Sequence, residues 1–497
     1  MYFDYHILFL LFYAVYLPIQ LALAAHILFT KHEEPSSAMM WLLVIVLIPV
    51  AGMFFYLLLG INNLKNRGSS FKKIQEKVDN SKEKYLGKAI NDYLNSLRQF
   101  IPDKEILGLG HNRMLDRLLP ERYPLSGNDL ELLCDGTMAY PRMLEDIRKA
   151  RHSIRMQSFI IMNDPVGKAI FDALEEQARA GLDVKVLYDS FGSCKAYFSH
   201  FFHRYMHKKI PNFKIHAFSP INIFVPWRIQ LRNHRKLLVI DGKTAYVGGI
   251  NISQENTRFT KVPKRKYIHD LHCRITGPAV TSLQFTFLKD WVYATRSKLL
   301  EESVPQDFPM QKNNGDSVIR IVDSGPGQNY QGSQRVFYTA AMTAKRSLWI
   351  MTPYFVPDSS YVKTLCMTAA RGVDVRLIVP QNNNHVFVAL ATQSLYRTML
   401  SSGVRIFEKR GLFSHAKALM VDEEWAFMGS SNCDIRSFQL NYELDFCVEK
   451  GSFISELNSQ FIEELTESDE VTLSQVENKS FKRQLLENIC ALLTPIL

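Results

Sequence analysis

The sequence predicts an α/β protein: two tandem α/β domains preceded by two transmembrane helices. Three observations carry this prediction. The first 60 residues hold two long apolar runs, strands and helices alternate through the remainder, and one motif occurs twice together with its surroundings. At 497 residues the chain exceeds one average domain. Its net charge of +10 favours an anionic partner, nucleic acid or acidic membrane, and the apolar N-terminus selects the membrane. Seven cysteines show no C-x-x-C and no His/Cys grouping at metal spacing. They read as reduced residues, with Cys134, Cys273 and Cys447 in the core and no structural zinc.

Ile7 to Phe29 is long enough to cross a bilayer at 1.5 Å rise per residue, and Ala38 to Leu59 is a second such run. A cleaved signal peptide is the rival reading, on the small-x-small form of Ala22-Leu23-Ala24. Against it, residues 1–6 carry no Lys or Arg, and the apolar run continues past residue 24. Lys31 to Pro35 leave room for a tight turn, and Lys65, Arg67, Lys72 and Lys73 follow the second run. By the positive-inside rule the bulk of the chain is cytoplasmic. Residues 1–64 thus read as a membrane anchor. Residues 65–120 read as a basic amphipathic linker whose spaced apolar residues, Phe71, Ile74, Val78 and Tyr85 among them, suit either a helix lying on anionic lipid or a solvated helix.

The body repeats itself. Leu133-Cys134-Asp135-Gly136, a helical stretch and the strand from Ser153 are echoed by Val322-Asp323-Ser324-Gly325, a helical stretch and the strand from Ser347. Likewise Ala180-Gly181-Leu182-Asp183-Val184-Lys185 matches Arg371-Gly372-Val373-Asp374-Val375-Arg376. Domains over 121–310 and 311–497 follow, the second closing on an amphipathic helix from Phe481 to Leu493 that either packs on the body or lies on the membrane. Basic and aromatic stretches at His203-Arg204, His207 to Lys209, Trp227-Arg228 and Arg258 to Lys266 are either solvated surface or a lipid-facing patch.

Each half then reaches the same motif. His234-Arg235-Lys236, Asp241, Gly248-Gly249 and Asn251 match His415-Ala416-Lys417, Asp422, Gly429-Ser430 and Asn432, and His precedes Asn by the same interval in both (251 − 234 = 432 − 415 = 17). The residues after each His are apolar and partly β-branched, so each motif reads as a hairpin strand with His and Lys on one face. Asp241-Gly242 and Asp422-Glu423 supply the turns. The returning strand bends at Gly and delivers an Asn amide. Imidazole, ammonium and amide suit a phosphodiester: nucleophile or acid, charge clamp, and donor to the phosphoryl oxygens.

Both motifs, with Thr352-Pro353-Tyr354-Phe355-Val356-Pro357-Asp358 and the run Asn432 to Glu443, resemble the phospholipase D superfamily, and most closely its bacterial cardiolipin synthases. The likeness covers nearly the whole chain and implies two phospholipase D-like α/β domains packed pseudo-symmetrically, with both motifs in one central cleft. It also implies phosphatidylglycerol as donor and acceptor, with cardiolipin and glycerol as products. A lipid hydrolase using water, or a transferase with another alcohol acceptor, is the alternative. The catalytic set is His234, Lys236, Asp241, His415, Lys417 and Asp422, with Asn251 and Asn432 on the substrate. Asp241 and Asp422 complete the motif but lie a strand's length from the histidines and read as turn groups. A nucleophilic imidazole needs its other nitrogen on a carboxylate. Glu443 is the candidate for His415, where the family's glutamate falls, and Asp270 for His234, despite unequal spacing (443 − 415 = 28 against 270 − 234 = 36). The superfamily places the nucleophile in the first motif, hence at His234. Two ammonium groups at the phosphate make a metal or other cofactor unnecessary. The chain departs from the synthases at Met156 to Phe159, at Gly411 to Ser414 and at Asn382 to Asn384, all around the site and bearing on acceptor preference.

Overall fold

A computed structural model describes residues 2–31, 35–48, 50–60, 97–103, 105, 109–120, 122–220, 231–257, 267–295, 308–326, 331–492 and 494. The expected linker up to residue 96, Trp227-Arg228 and the basic run 258–266 lie outside these residues. The N-terminal helices and the α/β body form separate compact units.

In the N-terminal unit, α1 (Tyr2–Thr30) packs on α2 (Pro35–Leu47), with Tyr16, Ile27, Trp41, Ile45 and Tyr56 buried between them. Among the described residues α1 is the one helix long and apolar enough to cross a membrane. The second expected span is interrupted. α2 ends at Leu47 and α3 (Ala51–Phe55) starts after Val50, which sits at φ 61° and continues into a π turn at Tyr56–Gly60. Thirteen residues at 1.5 Å each reach about 20 Å, short of a hydrocarbon core of roughly 30 Å. The sequence carries Pro49 here, a residue with no amide hydrogen for a helix to use and one that disfavours helix in the residue before it.

The body contains one strand series per half. The first half supplies β1 (Leu125–Cys134), β2 (Ser153–Ser158), β3 (Asp183–Tyr188), β4 (Phe213–Ala217), β5 (Leu237–Ile240), β6 (Thr244–Gly248), β7 (Ile268–His269) and β8 (Leu271–Thr276). The second supplies β9 (Ser317–Ser324), β10 (Ser347–Met351), β11 (Phe355–Val356), β12 (Asp374–Pro380), β13 (Arg405–Lys409), β14 (Phe413–Ser414), β15 (Ala418–Val421), β16 (Trp425–Gly429), β17 (Cys433–Asp434), β18 (Glu443–Lys450) and β19 (Ser468–Val471). The order β1-β8-β6-β5-β2-β3-β4 is repeated as β9-β18-β16-β15-β10-β12-β13, with β19 added at the edge. The sheets are mixed. β2, β3 and β4 run parallel, as helical crossovers require, while the motif hairpins are antiparallel. β1 pairs antiparallel with β9, so the two sheets are continuous.

The inward faces of the two sheets share one core. In β5, Leu237 and Val239 face this shared core, while Leu238 and Ile240 face the core of the first half's helices. In β15, Ala418 and Met420 face inward, and Leu419 and Val421 face the second half's helices. This period-two split of fully apolar strands explains why the motif strands read as continuous hydrophobic runs. Two helices, Val280–Thr295 and Phe453–Thr466, contribute Leu283, Phe287, Leu457 and Phe461 to the shared core.

Both motif hairpins form as expected. Ile240 pairs with Thr244 and Val421 with Trp425, and both turns place two successive residues at positive φ (Asp241 53°, Gly242 61°; Asp422 54°, Glu423 60°). That is the turn whose twist matches a hairpin.

Candidate active site

The two histidines precede their strands rather than lying on them. β5 begins at Leu237 and β15 at Ala418, so His234 to Lys236 and His415 to Lys417 occupy lead-in segments. The strand rule that would put His and Lys on one face does not apply there. Each lead-in is instead paired with the other half. The His234 amide donates to the Tyr442 carbonyl at 2.9 Å, and Tyr442 donates to the Arg232 carbonyl at 2.9 Å. Symmetrically, β14 runs parallel to β7, and the His415 amide donates to the His269 carbonyl at 2.7 Å.

This exchange decides the carboxylate pairing. Glu443 follows Tyr442 and Asp270 follows His269, so each carboxylate emerges beside the histidine of the opposite half. His234 Nδ1 lies 2.9 Å from Glu443 Oε2, and His415 Nδ1 lies 2.6 Å from Asp270 Oδ2. The expected pairs, Glu443 with His415 and Asp270 with His234, are therefore corrected: both carboxylates orient a histidine, but across the halves. Strand register makes Glu443 and Asp270 equivalent, since Gly248 pairs with His272 and Gly429 with Asp445, two residues beyond each carboxylate. Their unequal spacing from the motifs lies in the longer connection that follows Asn251.

Each carboxylate accepts from further donors. Glu443 accepts from Ser430 Oγ at 2.5 Å and Asn441 Nδ2 at 3.2 Å. Asp270 accepts from the Leu271 amide at 2.8 Å and sits against Gly249, where a Cβ would come within 2.0 Å of its Oδ1. Ser430 and Gly249 occupy the same motif position, so one half makes a hydrogen bond where the other makes room. Burial alone would raise both carboxyls. The charges and donors of His234, Lys236 and Ser430 hold Glu443 below the ordinary range, as Lys417 and His415 do for Asp270.

The imidazoles and ammonium groups are buried together. Burial, followed by the Lys417 charge, pushes His415 down to about 3 against the opposing pull of Asp270. Burial also lowers His234, with Lys236 and Lys417 adding to the effect against Glu443. Both imidazoles are neutral, with Nδ1 on a carboxylate and Nε2 available for chemistry. Burial lowers Lys236 to about 7 and Lys417 to about 8, and each ammonium feels both carboxylates. Lys236 Nζ donates to the His234 carbonyl at 2.6 Å, and Lys417 Nζ to that of His415. The charge of Lys417 acts on His234 and that of Lys236 on His415, so the four side chains form one site. Aromatic rings flank it: Phe159 stands 4.9 Å from the His234 ring, and Tyr354 stands 5.8 Å from that of His415.

The asparagines differ. Asn251 Oδ1 accepts from the Ile160 amide at 3.1 Å, whereas among the described residues nothing hydrogen-bonds to the buried Oδ1 of Asn432. Asp241 and Asp422 are not brought to the histidines. Asp241 accepts from the amides of Arg151, His152 and Ser153 at 2.7–3.0 Å, and Asp422 from those of Lys345, Arg346 and Ser347 at 2.6–3.1 Å. Each fastens the far end of its hairpin to the entry of β2 or β10. Their inclusion in the catalytic set is corrected, and their reading as turn groups agrees with this geometry.

Sequence reasoning missed Arg235, the variable residue between His234 and Lys236. It is fully buried, pairs with Asp290 at 2.6 Å, and donates to the carbonyls of Glu443 at 3.0 Å and Ser324 at 3.1 Å. The signal was present: an arginine where the second copy has Ala416.

Comparison with known proteins agrees with this architecture. The family model for the cardiolipin synthase, phospholipase D-like domain matches residues 143–286 and 338–465, one block in each half. The chain belongs to this family. A phospholipase D-nuclease N-terminal model matches residues 19–60. A cardiolipin synthase of Alkalihalophilus pseudofirmus is 33% identical over 95% of this chain and 91% of its own length. A major cardiolipin synthase of Bacillus subtilis is 32% identical over 96% and 97%. Among solved structures, a phosphatidylserine synthase of Haemophilus influenzae shares the fold, with TM-score 0.59 at 15% identity over 78% of this chain and 99% of that one.

Proposed function

We propose that this chain is a membrane phosphatidyltransferase of the cardiolipin synthase type, condensing two phosphatidylglycerol molecules to cardiolipin and glycerol through a phosphatidyl-histidine. One observation carries the reading: two neutral histidines from two halves, each with Nδ1 on a carboxylate of the opposite half, converge with two buried lysines. The full-length likeness to cardiolipin synthases supplies the substrate class.

Glu443 fixes the His234 proton on Nδ1 and leaves the Nε2 lone pair to attack phosphorus. The bond from phosphorus to the glycerol oxygen breaks, and His415 Nε2–H protonates the departing alkoxide. His415 must be protonated for this step, and a bound phosphodiester favours that by offsetting the charges of Lys417 and Lys236 that depress it. The now neutral His415 takes the proton from a hydroxyl of the second phosphatidylglycerol. That oxygen attacks phosphorus, the P–N bond to His234 breaks, and both side chains return to their starting states. Lys236, Lys417 and the Asn432 amide carry the charge on the non-bridging oxygens. The body lies in the cytoplasm, as the Lys65, Arg67, Lys72 and Lys73 run directs.

The test supplies labelled phosphatidylglycerol to the purified full chain. Cardiolipin and free glycerol are expected, and phosphatidic acid as the main product would make the protein a hydrolase. With a donor whose leaving group needs no proton, His415→Ala should accumulate an adduct on His234. An adduct on His415 in His234→Ala, with none on His234 in His415→Ala, would reverse the assignment.

A further inference from the structure

The body exposes large apolar side chains at two places that correspond under its internal repeat. In the first half, the segment after β3 and the short helix Cys194–Phe198 leave Phe191, Tyr197 and Phe198 outward, Phe198 at 74% exposure. In the second half, the segment after β12 leads into the helix Val386–Ser394, whose first residues Val386 and Phe387 are 66% and 60% exposed. Both follow equivalent strands, since β3 and β12 hold the same sixth place in the repeated strand order.

Each set begins within two contacts of a catalytic histidine. The Phe191 ring takes the Arg232 guanidinium at 5.8 Å, and Asp189 in the same turn accepts from the Asn233 amide at 3.0 Å, the residue before His234. On the other side the His385 ring stands 5.5 Å from Tyr354, which stands 5.8 Å from His415. Phe191 and His385, at the start of the two sets, thus each lie close to a motif histidine.

The C-terminal helix Phe481–Leu492 extends the second set. It packs on the helix Val386–Ser394 through Cys490, which joins Val356, Leu390 and Ala391. Its other buried residue is Glu487, ion-paired to Lys479 and Arg483 at 2.9 Å. Phe481, Leu485, Ile489 and Leu492 are exposed, Phe481 at 78%. A helix that docks on its protein through Cys490 and a 2.6 Å hydrogen bond from Arg483 to Gln393, while turning its large apolar residues outward, matches an interfacial helix better than a water-facing one.

We propose that these two sets form a membrane-docking face that seats the mouth of the histidine site on an anionic bilayer. The occupant is committed by three features. The face is continuous with the site, it is doubled by the internal repeat, and its apolar residues are edged by exposed cations at Lys195, Arg204 and Lys482. The proposal rests on the phosphatidyltransferase reading, in which the reacting phosphodiester lies at headgroup depth and the tails remain in the bilayer. Seating the face lets a headgroup reach His234 and His415 without leaving the membrane.

The experiment uses the full chain reconstituted in phosphatidylglycerol vesicles whose acyl tails are brominated. Tryptophan placed by Phe198→Trp or Phe387→Trp should be quenched beyond the wild-type background, and one placed by Met367→Trp, exposed on the helix Ser359–Ala370, should not. Equal quenching at all three positions, or at none, overturns the docking face. In a second arm, the double variant Phe198→Glu and Phe387→Glu should lose on the order of tenfold or more in turnover of bilayer phosphatidylglycerol, and should keep its turnover of a short-chain, monomerically dissolved analogue. Equal loss on both substrates, or no loss on either, overturns the proposal. A wild-type chain that transfers neither substrate refutes the phosphatidyltransferase reading, while the quenching arm still decides the docking face.

Discussion

Glu443 and Asp270 act on histidines that the other half supplies, and this crossing has a direct kinetic consequence. A carboxylate that fixes the imidazole tautomer contributes most at the histidine it touches. In the His415→Ala background, with a donor whose leaving group needs no proton, Glu443→Gln should slow formation of the His234 adduct by roughly 10²- to 10⁴-fold. Asp270→Asn should leave that rate nearly unchanged, because its partner His415 is already absent. Quenched-flow mass spectrometry of the three proteins reads both rates. Slowing by Asp270→Asn and not by Glu443→Gln would restore the uncrossed pairs. Arg235 belongs to the same scale, since its guanidinium ties the Glu443 backbone to Asp290 and so fixes the carboxylate from behind.

At the scale of the element, the motif hairpin divides its labour between two ends. One end presents His and Lys, and the other is fastened by an aspartate that accepts three backbone amides. Removing such an acceptor leaves strand-entry amides unpaired and loosens the hairpin without touching the imidazoles. Asp241→Ala and Asp422→Ala should each destabilise the body by about 1–3 kcal/mol, seen as a lower denaturation midpoint. Turnover per folded molecule should change by less than roughly tenfold, well short of what loss of a positioned acid or base removes. A loss of several orders of magnitude with unchanged stability would return these aspartates to the reacting atoms. The second apolar run shows the same dependence on a single position, since α2 stops at Leu47, before Pro49.

At the scale of the molecule, the two halves are bound by the β1–β9 pair, by the shared core and by crossed lead-ins that include one ionic clamp. His269 lies between Asp135 of the first half, with Nδ1 2.7 Å from Oδ1, and Glu464 of the second, with Nε2 2.7 Å from Oε1. Tyr267 also donates to Asp135, and Lys409 pairs with Glu464 at 2.8 Å. Burial alone would lower His269, but the two carboxylates raise it from 6.5 to about 10. Burial would raise Glu464, but His269 and Lys409 bring it from 4.5 to about 2. A raised histidine contributes stability that is full below 6.5 and is lost as pH climbs through about 10; a lowered carboxyl contributes above 4.5 and is lost as pH falls through about 2. The clamp is therefore strongest between 4.5 and 6.5. His269→Gln should cost roughly 3–5 kcal/mol near pH 6. The gap in melting temperature between variant and wild type should narrow toward pH 10. A gap independent of pH would mean that His269 contributes packing and not charge.

The sequence by itself determined the two motifs, the hairpins that carry them, the alternation of strand and helix, and the phosphodiester chemistry, because these are local patterns or exact repeats. It also named both orienting carboxylates. Only the tertiary structure decided which histidine each one serves. Pairing of His234 with Tyr442 and of His415 with His269 joins residues more than a hundred positions apart, and no spacing within a half encodes a hydrogen bond between halves. The same holds for Arg235 on Glu443 and His269 on Glu464, whose partners are chosen by the packing of one half against the other.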